Sequence, residues 1–184
     1  MKIKNSLKIL YTLSLPALLV VFAGSPVFAA STGTVAATVT PQNISVSVSN
    51  GTVAYGTLGL SSSQDTTSGG VDNTQTATND GNVNEDFNIT STDATGGTSW
   101  TLGGSIGADQ YKHSFCTAGS GSPDPCDTSP TWNAITTAGN YQSLSTNVSA
   151  SGTERFDLKL DTPSSSSDYL QKSITVTIQA VIAS

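Results

Sequence analysis

The two cysteines are the first residues of this chain whose type could support chemistry. Cys116 and Cys126 are the only cysteines present. In a secreted chain a lone pair of cysteines is by default joined, so we expect a structural disulfide. Closing the intervening loop would contribute roughly 3 kcal/mol to stability in the chain-entropy account. A redox-active pair needs closer spacing and a shifted pKa, and the sequence indicates neither.

The single histidine, His113, is the one imidazole that a catalytic triad could use. It alternates in phase with Tyr111 and Phe115, as residues on one face of a strand do. No Gly-x-Ser-x-Gly nucleophile pattern stands at a predicted strand-to-helix turn. A carboxylate pair of the glycosidase kind stays open, since 13 acidic residues are present, but none is marked by its neighbours. We therefore predict a protein that is not an enzyme and uses no cofactor.

One acidic turn comes nearest to a metal motif. Asp80, Asn82 and Asn84 have the alternate spacing of the first ligands of a calcium loop. Glu85 stands where that loop needs glycine, and Ser91 stands where it needs glutamate, so the EF-hand pattern fails. Asn and Asp are also selected by turns for local backbone hydrogen bonds. We favour a turn that leads into a strand and keep these three residues as a weak metal candidate.

Aromatic residues in the middle third of the chain offer a carbohydrate-binding alternative. Tyr111, Trp132 and Tyr141 could stack on sugar rings if their faces are exposed. A small β-domain also places its few large side chains inside. Trp100 is expected in the core, since it is in phase with Leu102, whereas the position of Trp132 is left open.

Short alternating segments are the elements that must position these residues. Apolar and polar residues alternate in several runs, which include the segments beginning at Val35, Phe87, Phe156 and Ile174. Gly, Ser and Asn clusters separate the runs, and no long stretch has a helical apolar stripe. This pattern predicts an all-β chain folded as a single antiparallel β-sandwich, either immunoglobulin-like or jelly-roll-like. We expect the first and last strands to lie in the core.

The N-terminal segment has the features of a secretory signal peptide. Three lysines in the first eight residues precede an apolar run from Ile9 to Ala23, and Val27 and Ala29 occupy the small-residue positions of a cleavage site. We predict a signal peptide over 1–29 and a secreted domain over 30–184. The apolar run of ~15 residues is short for a membrane span, which needs about 20.

Removal of that segment would make the chain strongly acidic. It carries three of the seven basic residues and none of the 13 acidic ones, which leaves 4 − 13 = −9. Such a charge argues against nucleic acid as a partner and against binding to anionic membrane surfaces. We expect a protein that is secreted or at the cell surface, with no membrane attachment after cleavage.

Two short motifs resemble those of WxL surface domains. The run Tyr55-Gly56-Thr57-Leu58 is followed by Ser99-Trp100-Thr101-Leu102, which is similar to the aromatic-Gly strand ending and the Trp-x-Leu strand of that family. The family's second, C-terminal Trp-x-Leu is absent, and Ile174–Ile178 stands in its place. The resemblance implies a secreted β-sandwich held without covalent bonds on the wall of a Gram-positive cell.

These observations favour a non-enzymatic structural or interaction protein at the cell surface, either alone or as a subunit of a polymer or wall-associated layer. The expected partners are a second copy of the chain or cell-wall polysaccharide. The uncharged, alternating segment from Val35 to Val48 could add to the sheet edge of a neighbouring copy by strand exchange, or it could pair within its own sheet. The carbohydrate-binding module is the alternative function.

Overall fold

The computed structural model describes residues 32–184. The chain divides into two units, Met1–Val39 and Thr40–Ser184. Every strand and helix of the described range belongs to the second unit: β1 Val46–Ser49, β2 Ser63–Asp65, β3 Gln75–Asn79, β4 Glu85–Ser91, β5 Thr101–Leu102, β6 Gln110–Gly119, α1 Pro125–Thr128, β7 Asn133–Ile135, β8 Gln142–Val148, β9 Thr153–Asp161 and β10 Val176–Ile182.

The predicted signal peptide over 1–29 lies outside the described residues, so its cleavage stays a prediction. Within 32–184, no helix has the length and apolar character that crossing a membrane requires.

The larger sheet is built around the two longest strands, β6 and β9, which pair antiparallel. The far side of β9 pairs with β3 and β2, and β1 adds to β3 as one edge of the sheet. The far side of β6 pairs with the short strands β5 and β7. The alternation of Phe156, Leu158 and Leu160 gives β9 one apolar face, and all three side chains are buried.

The smaller sheet has three strands in the order β10-β4-β8, and both pairings are antiparallel. Its central strand, β4, presents Phe87 and Ile89 to the interior, where both are fully buried. Apolar side chains from both sheets form one core: Ala77, Phe87, Ile89, Tyr111, Phe115, Ile135, Leu144, Val148, Phe156, Leu158 and Leu160. The nearly all-β architecture is as predicted, and two sheets around one core are compatible with a β-sandwich.

The expectation that both terminal strands lie in the core is wrong for the N-terminal strand and holds only in part for the C-terminal one, whose inner side chains pack against the core but are only half-buried. β1 and β10 are edge strands, and most of the β1 residues are exposed. The alternating run at Val35 forms no strand, and the side chains of Val35 and Val39 are 93% and 89% exposed. Alternation reports that a segment has one apolar face, but it does not report how many neighbours the segment will have.

The disulfide prediction is confirmed. Cys116 of β6 is joined to Cys126 of α1, with their Cα atoms 6.0 Å apart. Asp124 caps the helix by accepting a hydrogen bond from the Cys126 N–H at 2.8 Å. The bond therefore fixes a four-residue helix, too short to be stable alone, against the larger sheet.

Candidate functional site

Within residues 32–184, one edge of the smaller sheet has no strand paired to it. β10 pairs with β4 through all seven of its residues, and no other described segment makes a backbone hydrogen bond along its opposite side. We call this side of β10 the open edge. A strand edge of this kind presents unpaired N–H and C=O groups to any extended chain that approaches it.

The pairing pattern shows which residues of β10 supply those groups. The Thr92 N–H donates to the Thr175 carbonyl at 3.1 Å, and the Ala183 N–H donates to the Asn84 carbonyl at 3.0 Å. In an antiparallel pair, hydrogen-bonded positions alternate along the strand. The odd-numbered residues therefore bond to β4, and the even-numbered residues from Val176 to Ile182 direct their backbone groups to the open edge.

The composition of the open edge does nothing to discourage pairing. The chain from Ser173 to Ser184 contains no charged residue and no proline. The register between β10 and β4 runs without a shift, so no bulge twists the strand away. Val181 and Ile182, near its end, remain 37% and 47% exposed. Lysine, proline and bulges are the usual protections of an edge strand, and β10 has none of them.

The inner face of β10 is incompletely covered. Ile174, Val176 and Ile178 pack against the core but stay only half-buried, whereas Phe87 and Ile89 on the neighbouring strand β4 are fully buried. A cleft of about 1020 Å³ lies beside these residues, with the buried side chains of β9 among its lining. Apolar surface thus remains uncovered directly inside the open edge.

An irregular segment, residues 51–60, lines the same cleft. Val53 and Tyr55 alternate with polar or small residues as strand residues do, but the structure has no strand there. The side chains of Val53, Tyr55 and Leu58 still pack against the core. Among the described residues, the backbone of 53–58 makes no hydrogen bond, so side-chain contacts alone hold this segment.

The side chain of His113 contacts that segment through Tyr55. Its Nε2 atom lies 3.1 Å from the Tyr55 hydroxyl, and its Nδ1 atom lies 3.1 Å from Oγ of Ser91. Burial lowers the pKa of His113 to about 4 and raises the pKa of Tyr55 above its usual value. The imidazole is therefore neutral near pH 7 and has both ring nitrogens within hydrogen-bonding distance of hydroxyl groups, as a packed strand histidine would be.

The mouth of the cleft carries an exposed aromatic residue that sequence reasoning missed. Tyr169 is 84% exposed, and Leu170 beside it is also exposed. The isolated Tyr-Leu pair after a run of four serines was the available signal. Nearby, Lys172 Nζ lies 2.6 Å from Asp168 Oδ1 and 5.3 Å from the centre of the Trp100 ring. The hydrogen bond from Lys172 is the main reason that the pKa of Asp168 is lowered.

The aromatic residues predicted to bind sugar are not displayed together. Tyr111, a sugar-stacking candidate only if its face is exposed, is fully buried in β6, and its hydroxyl donates to the Thr92 carbonyl. Burial raises the pKa of this phenol to about 12. Trp132 is half-buried against the disulfide cluster, and Tyr141 is exposed. Trp132 precedes β7 of the larger sheet, whereas Tyr141 precedes β8 of the smaller one.

The weak metal candidate, Asp80, Asn82 and Asn84, forms the turn before β4. Asn82 accepts a hydrogen bond from the Asn43 N–H at 2.8 Å and donates one to the Pro41 carbonyl at 2.9 Å. Asn84 donates to the side chain of Asn147. These bonds join the turn to distant parts of the chain: those of Asn82 fasten the segment before β1 to the turn, and that of Asn84 reaches β8.

One other cluster of potential metal ligands occurs in the described range, and it comprises Asp124, Cys126 and Asp157. The Cys126 sulfur is committed to the disulfide and is not a thiolate. Asp124 caps α1, and Asp157 accepts hydrogen bonds from Thr66 and Thr74. Burial raises the pKa of Asp157. The disulfide, the helix cap and the two threonine hydrogen bonds are structural roles for these three side chains.

The residues that resemble a WxL domain meet at the cleft. Tyr55–Leu58 and Trp100 line it, and Leu102 is buried in the core. The segment Ile174–Ile178, which stands where that family has its second Trp-x-Leu, contributes three lining side chains. In comparisons with protein-family models, with curated proteins and with solved structures, this chain matches none of them.

Proposed function

We propose that this protein is an extracellular, non-enzymatic structural protein that assembles through its sheet edges as a subunit of a surface polymer or wall-associated layer. The observation that supports this most directly is the open edge of β10. It is seven residues long, uncharged, unbulged and backed by a partly uncovered apolar face. Because monomeric proteins normally protect such edges, an edge left in this state is suited to pairing with another chain.

The compartment supports the same proposal. A disulfide persists in oxidising surroundings and is rare in reducing ones, and Cys116–Cys126 is formed. We interpret the chain as a cleaved signal peptide over 1–29 followed by one β-sandwich domain, which delivers the folded subunit to the cell exterior.

A non-catalytic role is consistent with the surroundings of His113. The imidazole is fully enclosed, its pKa is lowered to about 4, and its nitrogens face Tyr55 and Ser91. A general base must reach a substrate proton and have a pKa near the working pH. His113 meets neither requirement. Tyr111 is buried in the core and has no exposed face to stack on a sugar ring. We therefore do not propose the carbohydrate-binding alternative.

The test is the state of assembly of the protein secreted by cells that carry the full-length gene. We expect electron microscopy and light scattering of the secreted fraction to show filaments or multimers whose mass grows with concentration. Folded monomers at every concentration, with no wall-associated fraction, would overturn the proposal.

A further inference from the structure

We propose that the open edge of β10 is filled by residues 33–40 of a second copy of this chain, which add a fourth strand to the three-stranded sheet. This inference rests on the proposed function and names the partner of the same site. It identifies both halves of the contact: an exposed N-terminal segment as donor, and the open edge with its cleft as acceptor.

The donor segment has the properties of an unpaired strand. Residues 33–40 contain no charge and no proline, and Val35, Ala37 and Val39 alternate with Thr34, Ala36, Thr38 and Thr40. The segment forms no helix or strand, and all of its residues are exposed. Thr and Val are favoured in strands, so this segment requires only a partner backbone to become one.

The donor and the acceptor match in length and in pattern. The donor segment 33–40 has eight residues, and β10 has seven. Val176, Ile178 and Ala180 combine inward side chains with backbone groups directed at the open edge. A paired strand with Val35, Ala37 and Val39 on its inner face would cover the half-buried side chains beside the cleft. The contact therefore combines backbone hydrogen bonds with apolar burial, as strand addition does elsewhere.

The chain that directly follows the donor segment is held by hydrogen bonds to its own subunit. Pro41 and Asn43 are held by both ends of the Asn82 amide, and the Ser45 N–H donates to Oε1 of the buried Glu85 at 2.9 Å. Pro41 has no N–H to pair, so strand pairing of the donor should stop there. A subunit that donates one segment and accepts another makes a head-to-tail contact, which propagates into a filament unless it closes into a ring.

Two classes of variant test the contact. The donor-defective variant is Val35→Asp with Val39→Asp, and its matched control places the same two charges on the opposite face as Thr34→Asp with Thr38→Asp. The acceptor-defective variant is Ala180→Pro, which removes an N–H of the open edge without removing a bond to β4. Val181→Lys with Ile182→Lys, at two exposed positions, is a second acceptor-defective variant in case the proline disturbs folding.

Light scattering of the secreted chains gives the mass of each species, and circular dichroism with a thiol titration verifies that each is folded with its disulfide intact. We expect the unmodified chain to polymerise and both defective variants to stay monomeric. An equimolar mixture of donor-defective and acceptor-defective chains should form dimers and nothing larger, because it contains one intact donor and one intact acceptor per pair. The matched control should still polymerise.

The other outcomes separate the two proposals. If the unmodified chain and both defective variants polymerise alike, the assembly proposal stands and the β10 contact is wrong. If the variants are monomeric but their mixture forms no dimer, the substitutions block assembly by a route other than strand exchange, and exchange between copies is wrong. If the unmodified chain never assembles, the proposed function fails and this inference fails with it.

Discussion

The two edges of the three-stranded sheet flank the same central strand and are built in opposite ways. β8 pairs with β4 through a register that shifts twice, between Glu85 and Phe87 and again between Phe87 and Asn88. β10 pairs with the other side of β4 without a shift. A bulge bends a strand and interrupts the ladder, so β8 is a poor template for a further strand and β10 is a good one.

The side chains reinforce this difference. Ser143, Thr146 and Asn147 are the exposed residues of β8, and Asn147 adopts a φ of +56°. Its N–H bonds to Asp86 Oδ1 at 2.8 Å instead of continuing the ladder. On β10 the exposed residues include Val181 and Ile182. The comparison teaches that one sheet can carry a protected edge and an unprotected edge, and that the unprotected one is the place to look for a partner.

The largest expected effect is the loss of polymer formation when the unprotected edge is substituted. We expect Val181→Lys with Ile182→Lys to convert polymers into monomers, because charge at a sheet edge opposes pairing. The same number of lysines on the other edge, Ser143→Lys with Thr146→Lys, should leave the polymers unchanged. Sedimentation of both variants at matched concentration measures the difference, and equal loss of assembly in the two would remove the distinction between the edges.

The next effect concerns burial behind each edge. Leu144 of β8 is buried, so Leu144→Ala should lower the free energy of unfolding by about 2–5 kcal/mol. Ile178 of β10 is half-buried, so Ile178→Ala should cost the monomer only about 1–2 kcal/mol. Urea unfolding of both variants in a donor-defective, monomeric background gives the two values. A larger cost at Ile178 would show that its side of the core is already complete.

The disulfide provides a change that should alter stability without altering either edge. Replacing Cys116 and Cys126 together by serine should cost roughly 3 kcal/mol, because the unfolded chain regains the freedom of the loop. Assembly should persist below the lowered melting temperature, since the bond joins β6 to α1, away from the smaller sheet. Calorimetry combined with light scattering tests both statements. Loss of assembly in a folded, bond-free chain would contradict them.

The smallest expected effect is a pH dependence of the unfolding free energy, which arises from the buried His113 beside the cleft. The pKa of His113 is about 4 in the folded protein, below the usual value near 6.5, so the unfolded chain binds more protons between these values. Stability should therefore fall as the pH drops through this window, and between pH 7 and pH 5 this group should account for about 2 kcal/mol.

His113→Gln keeps a buried polar side chain and removes the titration. Its unfolding free energy should change less between pH 7 and pH 5 than that of the unmodified chain. The difference between the two chains isolates His113 from Asp157, whose raised pKa acts with the opposite sign. Parallel pH profiles would show that the histidine does not titrate as its burial implies.

The predictions that succeeded are those that depend on local composition. The alternation at Phe87 and at Phe156 indicated strands with one buried face, and both strands formed with those side chains inside. The lone pair of cysteines indicated a disulfide, and the phase of His113 with its aromatic neighbours indicated a packed histidine. Each of these predictions needs only the two-residue alternation of a strand or the number of residues of one reactive type.

The candidate site could not be predicted in this way. Tyr111 and Tyr169 are both tyrosines in polar surroundings of the sequence, yet one is fully buried and the other is 84% exposed. Val53 and Tyr55 alternate like strand residues, yet their segment pairs with no backbone and instead lies over the cleft. The burial of a tyrosine and the pairing of a segment both depend on which residues from distant parts of the chain pack against them.

By itself, the sequence determined that this chain is all-β, that it carries one disulfide and that the segments 33–40 and 173–184 are uncharged and alternating. Only the tertiary structure decided that β10 ends the smaller sheet with an unprotected edge, that β8 ends it with a bulged one, and that a cleft lies inside the first. The alternation of apolar and polar residues in a strand depends only on that strand's own residues. Which strands pair with it depends on long-range register and on the competition among all strands for the same core.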